Sequence, residues 1–253
     1  MPQDVQSRVA VITCAVLEME IAEFAKSCPN VVHIELLEQG LHNEPGNLRT
    51  ELQNAIIRVE REHNPTAIVL GYGLCSRGTV GVSAVNATLV IARAHDCITL
   101  LLGDRRRYAD YVKNNPGTYW YSPGWNKHHL PPGQERYEKL YAEYAEKYGD
   151  DNAQFLMESE QHWFQAYDRA TYVDLGIGVT DEDLAYTQKC ADWLKWKCDR
   201  EVGDPTLLKD LLTGPWDDDR FLVLGPGESL AMSGDDNIIQ IHVPKDVSNH
   251  STV

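Results

Sequence analysis

The sequence predicts an α/β protein with an open, mostly parallel, Rossmann-like sheet, flanked by helices and carrying an inserted, mainly helical cap. Short apolar, β-branched runs alternate with amphipathic segments, which is typical of strands that alternate with helices. An aromatic and proline-containing stretch over residues 108–169 interrupts this alternation. We therefore expect an α/β core domain of residues 1–107 and 170–253 and an insertion, the cap, of residues 108–169.

The first half of the chain predicts a regular order of strand and helix. Four short runs rich in Val, Ile, Leu and Ala predict strands over residues 8–13, 31–37, 66–70 and 87–92. Apolar residues at helical spacing predict helices over residues 18–26 and 45–59, the second of which begins at a proline. Strands joined by helices favour right-handed crossovers and a parallel sheet.

The second half resumes the α/β pattern after the cap. Residues 170–175 and 221–224 have strand character, residues 181–198 and 207–212 have helical character, and residues 238–243 alternate as an edge strand would. The cap itself begins with aromatic residues and prolines and then predicts a polar helix over residues 135–148.

Composition limits the functions that are possible. The chain has 253 residues, of which 43% are hydrophobic and 24% charged, as in an ordinary globular protein. Its formal charge of -15 argues against sequence-independent nucleic-acid binding and against binding to anionic membranes. No apolar run reaches the length of a membrane span, and the first ten residues lack the features of a secretory signal. We expect a cytoplasmic protein whose six cysteines are reduced.

Three of the cysteines stand directly after predicted strands. Cys14, Cys75 and Cys97 follow the first, third and fourth runs. Because the carboxyl ends of parallel strands meet at one sheet edge, these thiols are expected to converge. Three soft ligands with one open position suit a catalytic Zn²⁺, with His95 as the fourth or an outer ligand. Alternatively, three thiolates can hold a [4Fe-4S] cluster and leave one iron free for substrate.

Two other interpretations of these cysteines stay open. Free cysteine is among the most buried residue types, so the three thiols can simply pack at the strand ends. A single nucleophilic thiol, Cys97 with His95 as its base, is the third interpretation.

Other candidates surround the cysteines in sequence. The Gly71–Gly78 loop makes Tyr72, Gly73 and Arg77 candidate cofactor contacts, although its pattern matches neither the dinucleotide nor the phosphate-loop motif. Arg93, beside a strand end, is a candidate catalytic anchor for a carboxylate or phosphate. His42, in the loop after the second strand, is a candidate acid/base group, although that loop also has the features of a helix start.

The cap contains aromatic residues that allow two interpretations. They could line a pocket for a methylated cation, or they could form the small core of the cap itself. The residues concerned are Trp120, Tyr121, Trp125 and Trp163.

Several motifs together resemble a bacterial and archaeal family known as domain of unknown function 1638. They are the sequences at 41–45 (LHNEP), 71–75 (GYGLC), 95–103 (HDCITLLLG), 122–125 (SPGW) and 221–227 (FLVLGPG). The resemblance spans nearly the whole chain. It implies a companion of corrinoid-dependent one-carbon systems, near methyltransferases and corrinoid proteins, and carries no catalytic assignment.

The sequence thus predicts a metal-dependent transferase or lyase of one-carbon metabolism. It would transfer a methyl group, or cleave a C–N or C–S bond, on a small molecule at the three-cysteine site. The alternatives are a three-cysteine [4Fe-4S] lyase and a non-catalytic accessory protein that binds a corrinoid protein or a methyltransferase.

Overall fold

The computed structural model describes residues 7–243. The first six and the last ten residues of the predicted core domain lie outside the described residues. The strands are, in chain order, β1 (Val9–Cys14), β2 (Val31–Leu37), β3 (Ala67–Gly71), β4 (Thr88–Ala92), β5 (Thr118–Tyr121), β6 (Arg169–Asp174), β7 (Lys197–Val202), β8 (Phe221–Leu224), β9 (Leu230–Met232) and β10 (Ile239–Ile241).

The α-helices of the described part are numbered in the same way. They are α1 (Glu18–Ala25), α2 (Pro45–His63), α3 (Cys97–Leu102), α4 (Arg105–Asn114), α5 (Pro123–His128), α6 (Gln134–Tyr148), α7 (Asp150–Gln161), α8 (Asp181–Leu194) and α9 (Thr206–Thr213). No helix within residues 7–243 is both long and apolar enough to cross a membrane.

The main sheet has five strands in the order β2-β1-β3-β4-β8. The first four are parallel, and β8 pairs antiparallel with β4. This arrangement confirms the predicted open, mostly parallel α/β sheet. The chain leaves β1 toward β2 on one side and returns to β3 on the other, which places a topological switch point between β1 and β3. In such sheets a crevice for ligands opens outside the carboxyl ends of these strands.

The core of the main sheet follows from the sequence pattern. Every residue of β1 and β3 is buried, as expected for strands covered by helices on both faces. Helix α2 covers one face with an apolar stripe at helical spacing. The stripe consists of Leu48, Leu52, Ala55, Ile56 and Val59.

A second, three-stranded parallel sheet has the order β5-β6-β7. Here the structure differs from the predicted grouping of the strands. Strand β6 begins at the last residue of the predicted cap and pairs with β5 from inside the cap, and β7 pairs with β6. Helices α6 and α7 pack against each other, and the mainly helical character of residues 108–169 agrees with the prediction.

The prediction of one helix over residues 181–198 was wrong at the C-terminal end. Helix α8 stops at Leu194, because Lys195 adopts a left-handed conformation with φ 60°. The following residues form β7, a polar edge strand without the apolar run that marked the buried strands. Cys198 therefore lies on a strand.

The segments that follow β1 and β5 meet in a close backbone contact. Gly124 in α5 packs against the carbonyl oxygen of Val16, in the 3-10 turn that follows β1, and a side chain at Gly124 would overlap that oxygen. Glycine is required where two backbones approach this closely. The contact holds the second sheet over the carboxyl end of β1 and leaves a cleft beside it.

Candidate functional site

A cavity of about 570 Å³ lies in this cleft. One wall comes from the strand ends of the main sheet and consists of Cys14, Val16, His42, Cys75, Ser76, His95, Asp96, Cys97 and Ile98. The facing wall consists of Tyr108, Val112, Asn115, Pro116, Thr118, Tyr119, Trp120, Trp125 and Tyr167. This volume is within the range of small-molecule sites.

Cys14 is the last residue of β1 and is almost fully buried. The strand end is fixed to its neighbour because the hydroxyl of Thr13 donates a hydrogen bond of 3.1 Å to the carbonyl of Gly71 at the end of β3. Burial raises the pKa of the Cys14 thiol to about 11, against a smaller opposing effect of a hydrogen bond from the Val16 backbone. The Cys14 thiol is therefore neutral at physiological pH.

Cys75 lies in an unusual backbone segment. Cys75, Ser76 and Arg77 have φ of 45°, 54° and 70°, so three consecutive non-glycine residues adopt left-handed conformations. Such conformations are strained and concentrate at functional sites. The amides of Leu74 and Cys75 donate hydrogen bonds of 2.8 and 2.9 Å to the carbonyls that follow β4. The loop after β3 is thereby held against the loop after β4.

Cys97 begins α3, directly after Asp96. The Asp96 carboxylate caps this helix by accepting hydrogen bonds from the amides of Ile98 and Thr99. Its other oxygen accepts a hydrogen bond of 3.1 Å from the hydroxyl of Tyr108, in the facing wall. Burial raises the pKa of Asp96, although these donors oppose the effect. Burial also raises the pKa of the Cys97 thiol well above its usual value.

All three cysteines line the cavity, and the charge of Cys14 affects the pKa of the other two. Burial is the largest cause of the raised pKa of Cys97, and the charges of Asp96, Cys14 and Cys75 add to it. Burial likewise raises the pKa of Cys75, with a contribution from Cys14. The three cysteines thus lie around one cavity at the carboxyl ends of the strands, and their role as metal ligands stays a prediction.

The hydroxyl of Tyr72, the residue after β3, responds to the charges of all three thiols. It is buried, and its pKa is raised by burial first and then by Cys14, Cys75 and Cys97. It has no hydrogen-bond partner among the described residues. An unpaired buried hydroxyl is costly, so an acceptor at this position would stabilise the protein. A metal-bound thiolate sulfur would be such an acceptor.

The thiols do not already form a ligand set. As the side chains stand in residues 7–243, no group of three or more His, Cys, Asp or Glu residues is arranged to hold a metal ion. A shared metal would have to draw the sulfur atoms together and displace their protons.

The two candidate histidines both line the cavity. The Nδ1–H of His42 donates to the carbonyl of Gln39 at 2.9 Å, which leaves Nε2 as the nitrogen that can accept a proton. Burial lowers the pKa of His42 and favours this neutral form. The ring of His95 is exposed in the cavity and lies 6.0 Å from that of Tyr108.

The structure does not bring the candidate arginines to the cavity lining. Arg93 is buried and is not among the lining residues; its guanidinium donates to the carbonyls of Asp218 and Ile239 at 2.8 and 2.6 Å. It therefore ties β4 to the C-terminal strands. Arg77 is exposed and is not among the lining residues.

The family model described as "Protein of unknown function (DUF1638)" matches residues 36–212. This range is more than half of the chain. The chain belongs to this family. Searches of curated proteins and of solved structures found no match.

The site of this DUF1638 protein contains residues that the sequence analysis did not single out. Asp96, Tyr108 and Ser76 line the cavity. Asp96 could have been found from its position between two candidates, whereas nothing local in the sequence marks Tyr108. Of the four cap aromatics, Trp120 and Trp125 line the cavity, while Tyr121 is fully buried and Trp163 packs against Phe164 in the cap.

Gly73 provides a test of how the DUF1638 site is assembled. A Cβ at this position would lie 2.6 Å from the amide nitrogen of Asp96 and 2.7 Å from the carbonyl oxygen of Ala94. We expect Gly73→Ala to cost about 1–3 kcal/mol of unfolding free energy. Gly40→Ala is the matched control, because a Cβ there meets nothing within 4 Å, and it should change stability by less than about 0.5 kcal/mol. Equal denaturation midpoints for the two variants would contradict the tight contact between the loops.

Proposed function

We propose that this protein is a metal-dependent enzyme in which Cys14, Cys75 and Cys97 bind one metal centre, with zinc preferred. The observation that carries the proposal is that three thiols from three adjacent strand ends line a single small-molecule cavity. The buried, unpaired hydroxyl of Tyr72 supports it, because its pKa responds to all three thiols and a ligating sulfur could accept its hydrogen bond. We further propose that the protein acts in the cytoplasm, where thiols stay reduced, and all six cysteines are free in the structure.

The proposed reaction is methyl transfer, or cleavage of a C–N or C–S bond, on a small molecule of one-carbon metabolism. When bound, the metal supplies a Lewis acid with an open coordination position. His42 is neutral and offers Nε2 as a proton acceptor at the cavity wall. The hydrogen bond from Tyr108 to Asp96 links the facing wall to the residue beside Cys97 and fixes a second polar pair there. His95 lies beside this pair and can exchange protons with it or orient a ligand.

A three-cysteine [4Fe-4S] lyase is the second candidate. The same set of three thiols favours it, because such a cluster keeps one iron without a cysteine ligand. The two candidates use the same residues and differ in the metal content of protein purified without oxygen.

Alkylation of cysteines with and without metal tests the proposal. We expect zinc to protect Cys14, Cys75 and Cys97 together from iodoacetamide under mild denaturant, as read by mass spectrometry of each peptide. Cys198 on β7 is the internal control, because it is partly exposed, lies outside the cavity and should react equally in both samples. Zinc-independent alkylation of all three thiols would contradict the proposal. Rapid labelling of Cys97 alone would favour a nucleophilic thiol instead.

A further inference from the structure

We propose that the cavity binds a small organic cation, an alkylated ammonium or sulfonium ion, against the aromatic wall that faces the three thiols. The inference rests on the proposed functional site, because the cavity is the same, but it does not require that the metal is present.

The charges around the cavity favour a cation over an anion. The lining residues include no lysine or arginine, and Asp96 is their one carboxylate. Among the arginines outside the lining, Arg93 pairs with Asp218, Arg106 with Asp219 and Arg107 with Glu201, while Arg136 lies over the rings of Trp163 and Phe164 in the cap. The cavity thus lacks the guanidinium or ammonium groups that a phosphate or carboxylate ligand needs.

The facing wall presents aromatic rings in two adjoining groups. Trp120 lies 6.3 Å from Tyr108 and 4.7 Å from Tyr111, measured between ring centroids. Tyr119 lies 6.5 Å from Trp125 and 5.7 Å from Tyr167. Each of these rings except that of Tyr111 lines the cavity. Aromatic faces attract cations, and the attraction grows where water is excluded.

The electrostatics of the whole molecule act in the same direction. The formal charge of -15 attracts cations to the protein as a whole. Burial lowers the pKa of His42, so this lining side chain adds no positive charge at neutral pH. The proposed centre of one divalent ion and three thiolates would itself carry a net negative charge.

Binding of choline by chelator-treated protein, measured by calorimetry, tests the inference. We expect choline to bind at least about tenfold more tightly than 3,3-dimethylbutan-1-ol, which has the same shape without the charge. Trimethylsulfonium should bind as well, which would show that the charge and the alkyl groups matter rather than the nitrogen. Inorganic phosphate should not bind.

Variants locate the binding surface. Trp120→Leu should weaken choline binding about tenfold, and Trp120→Phe should restore most of it, because the ring face is retained. Trp193→Leu is the control, since this tryptophan is exposed on α8 outside the cavity. Equal affinity for choline and its neutral analogue, or equal loss in the Trp120 and Trp193 variants, would overturn the inference.

Zinc binding is measured in a separate experiment, by cysteine alkylation, so the metal proposal and the cation proposal can fail independently. If metal-free protein prefers choline over its neutral analogue, the result supports cation binding at the aromatic wall, whatever the result for zinc. A preference that appears only after zinc is added would assign the effect to the metal centre and overturn the role of the aromatic wall.

Discussion

Replacing Cys75 by serine is expected to lower the affinity for zinc on the order of 10²-fold or more. Structural zinc sites in zinc-finger peptides bind with apparent free energies of about 10–16 kcal/mol, so the loss of one ligand from a smaller set should remove a substantial share of the binding energy. Serine keeps the size of the side chain but its hydroxyl does not ionise at neutral pH, so one of three anionic ligands is lost. Competition with a chromophoric chelator under anaerobic conditions measures the change.

Cys28→Ser is the matched control for this substitution. Cys28 is also buried, but its thiol donates to the carbonyl of Phe24 at the end of α1, outside the cavity. Its substitution should leave zinc affinity unchanged within about twofold. Equal affinities of the two variants would show that Cys75 is not a ligand.

Replacing Glu20 by glutamine is expected to stabilise the protein above neutral pH. Glu20 on α1 is fully buried, and neither carboxylate oxygen has a hydrogen-bond partner among the described residues. Burial raises its pKa from 4.5 to about 7, an interaction with its own backbone amide opposes this effect, and the charge of Asp174 adds a smaller contribution. This difference corresponds to roughly 3 kcal/mol that the ionised carboxylate costs the folded state.

The sign of the pH dependence follows from the raised pKa of Glu20. Between pH 4.5 and about 7 the folded protein binds more protons at this site than the unfolded chain, so stability falls as pH rises. The wild type should lose up to about 3 kcal/mol relative to Glu20→Gln between pH 4.5 and pH 8. Urea denaturation at both pH values measures this difference. The cost of burying the glutamine amide is the same at both pH values, so it cancels when the two are compared.

Glu23→Gln on the same helix is the control for Glu20. The Glu23 side chain is half exposed and pairs with Lys26 at the surface. Its substitution should change stability by less than about 1 kcal/mol at either pH. If the difference in unfolding free energy between wild type and Glu20→Gln does not vary with pH, then the pKa of Glu20 is not raised in the folded protein.

The convergence of the cysteines could be predicted because local patterns encode it. The strands before Cys14, Cys75 and Cys97 are short, apolar and fully or almost fully buried, so the sequence marks where each one ends. Parallel strands place these ends at one edge of the sheet. The same reasoning placed His42 and His95 at this edge of the sheet, and both line the cavity.

The second sheet could not be predicted, because its pairing is not local. Strand β7 is polar and only partly buried, so it lacks the pattern of a buried strand. Its register depends on pairing with β6, after the whole of α8. The sequence contains no signal that these two strands leave the main sheet.

The direction of Arg93 also depends on distant residues. Arg93 is two positions from His95, yet its guanidinium binds Asp218 and Ile239, which are more than 120 residues away. Similarly, only the packing of the cap decides that Trp120 faces the cavity while Trp163 packs against Phe164.

Cobalt titration of metal-free protein under anaerobic conditions tests the central proposal most directly. If Cys14, Cys75 and Cys97 share one metal centre, one cobalt ion per chain should bind and give the near-ultraviolet absorption of cobalt bound to thiolates. That absorption should have the intensity of three sulfur ligands and disappear when zinc is added. Cobalt binding without sulfur absorption, or an unchanged spectrum after all three cysteines are replaced by serine, would contradict the proposal.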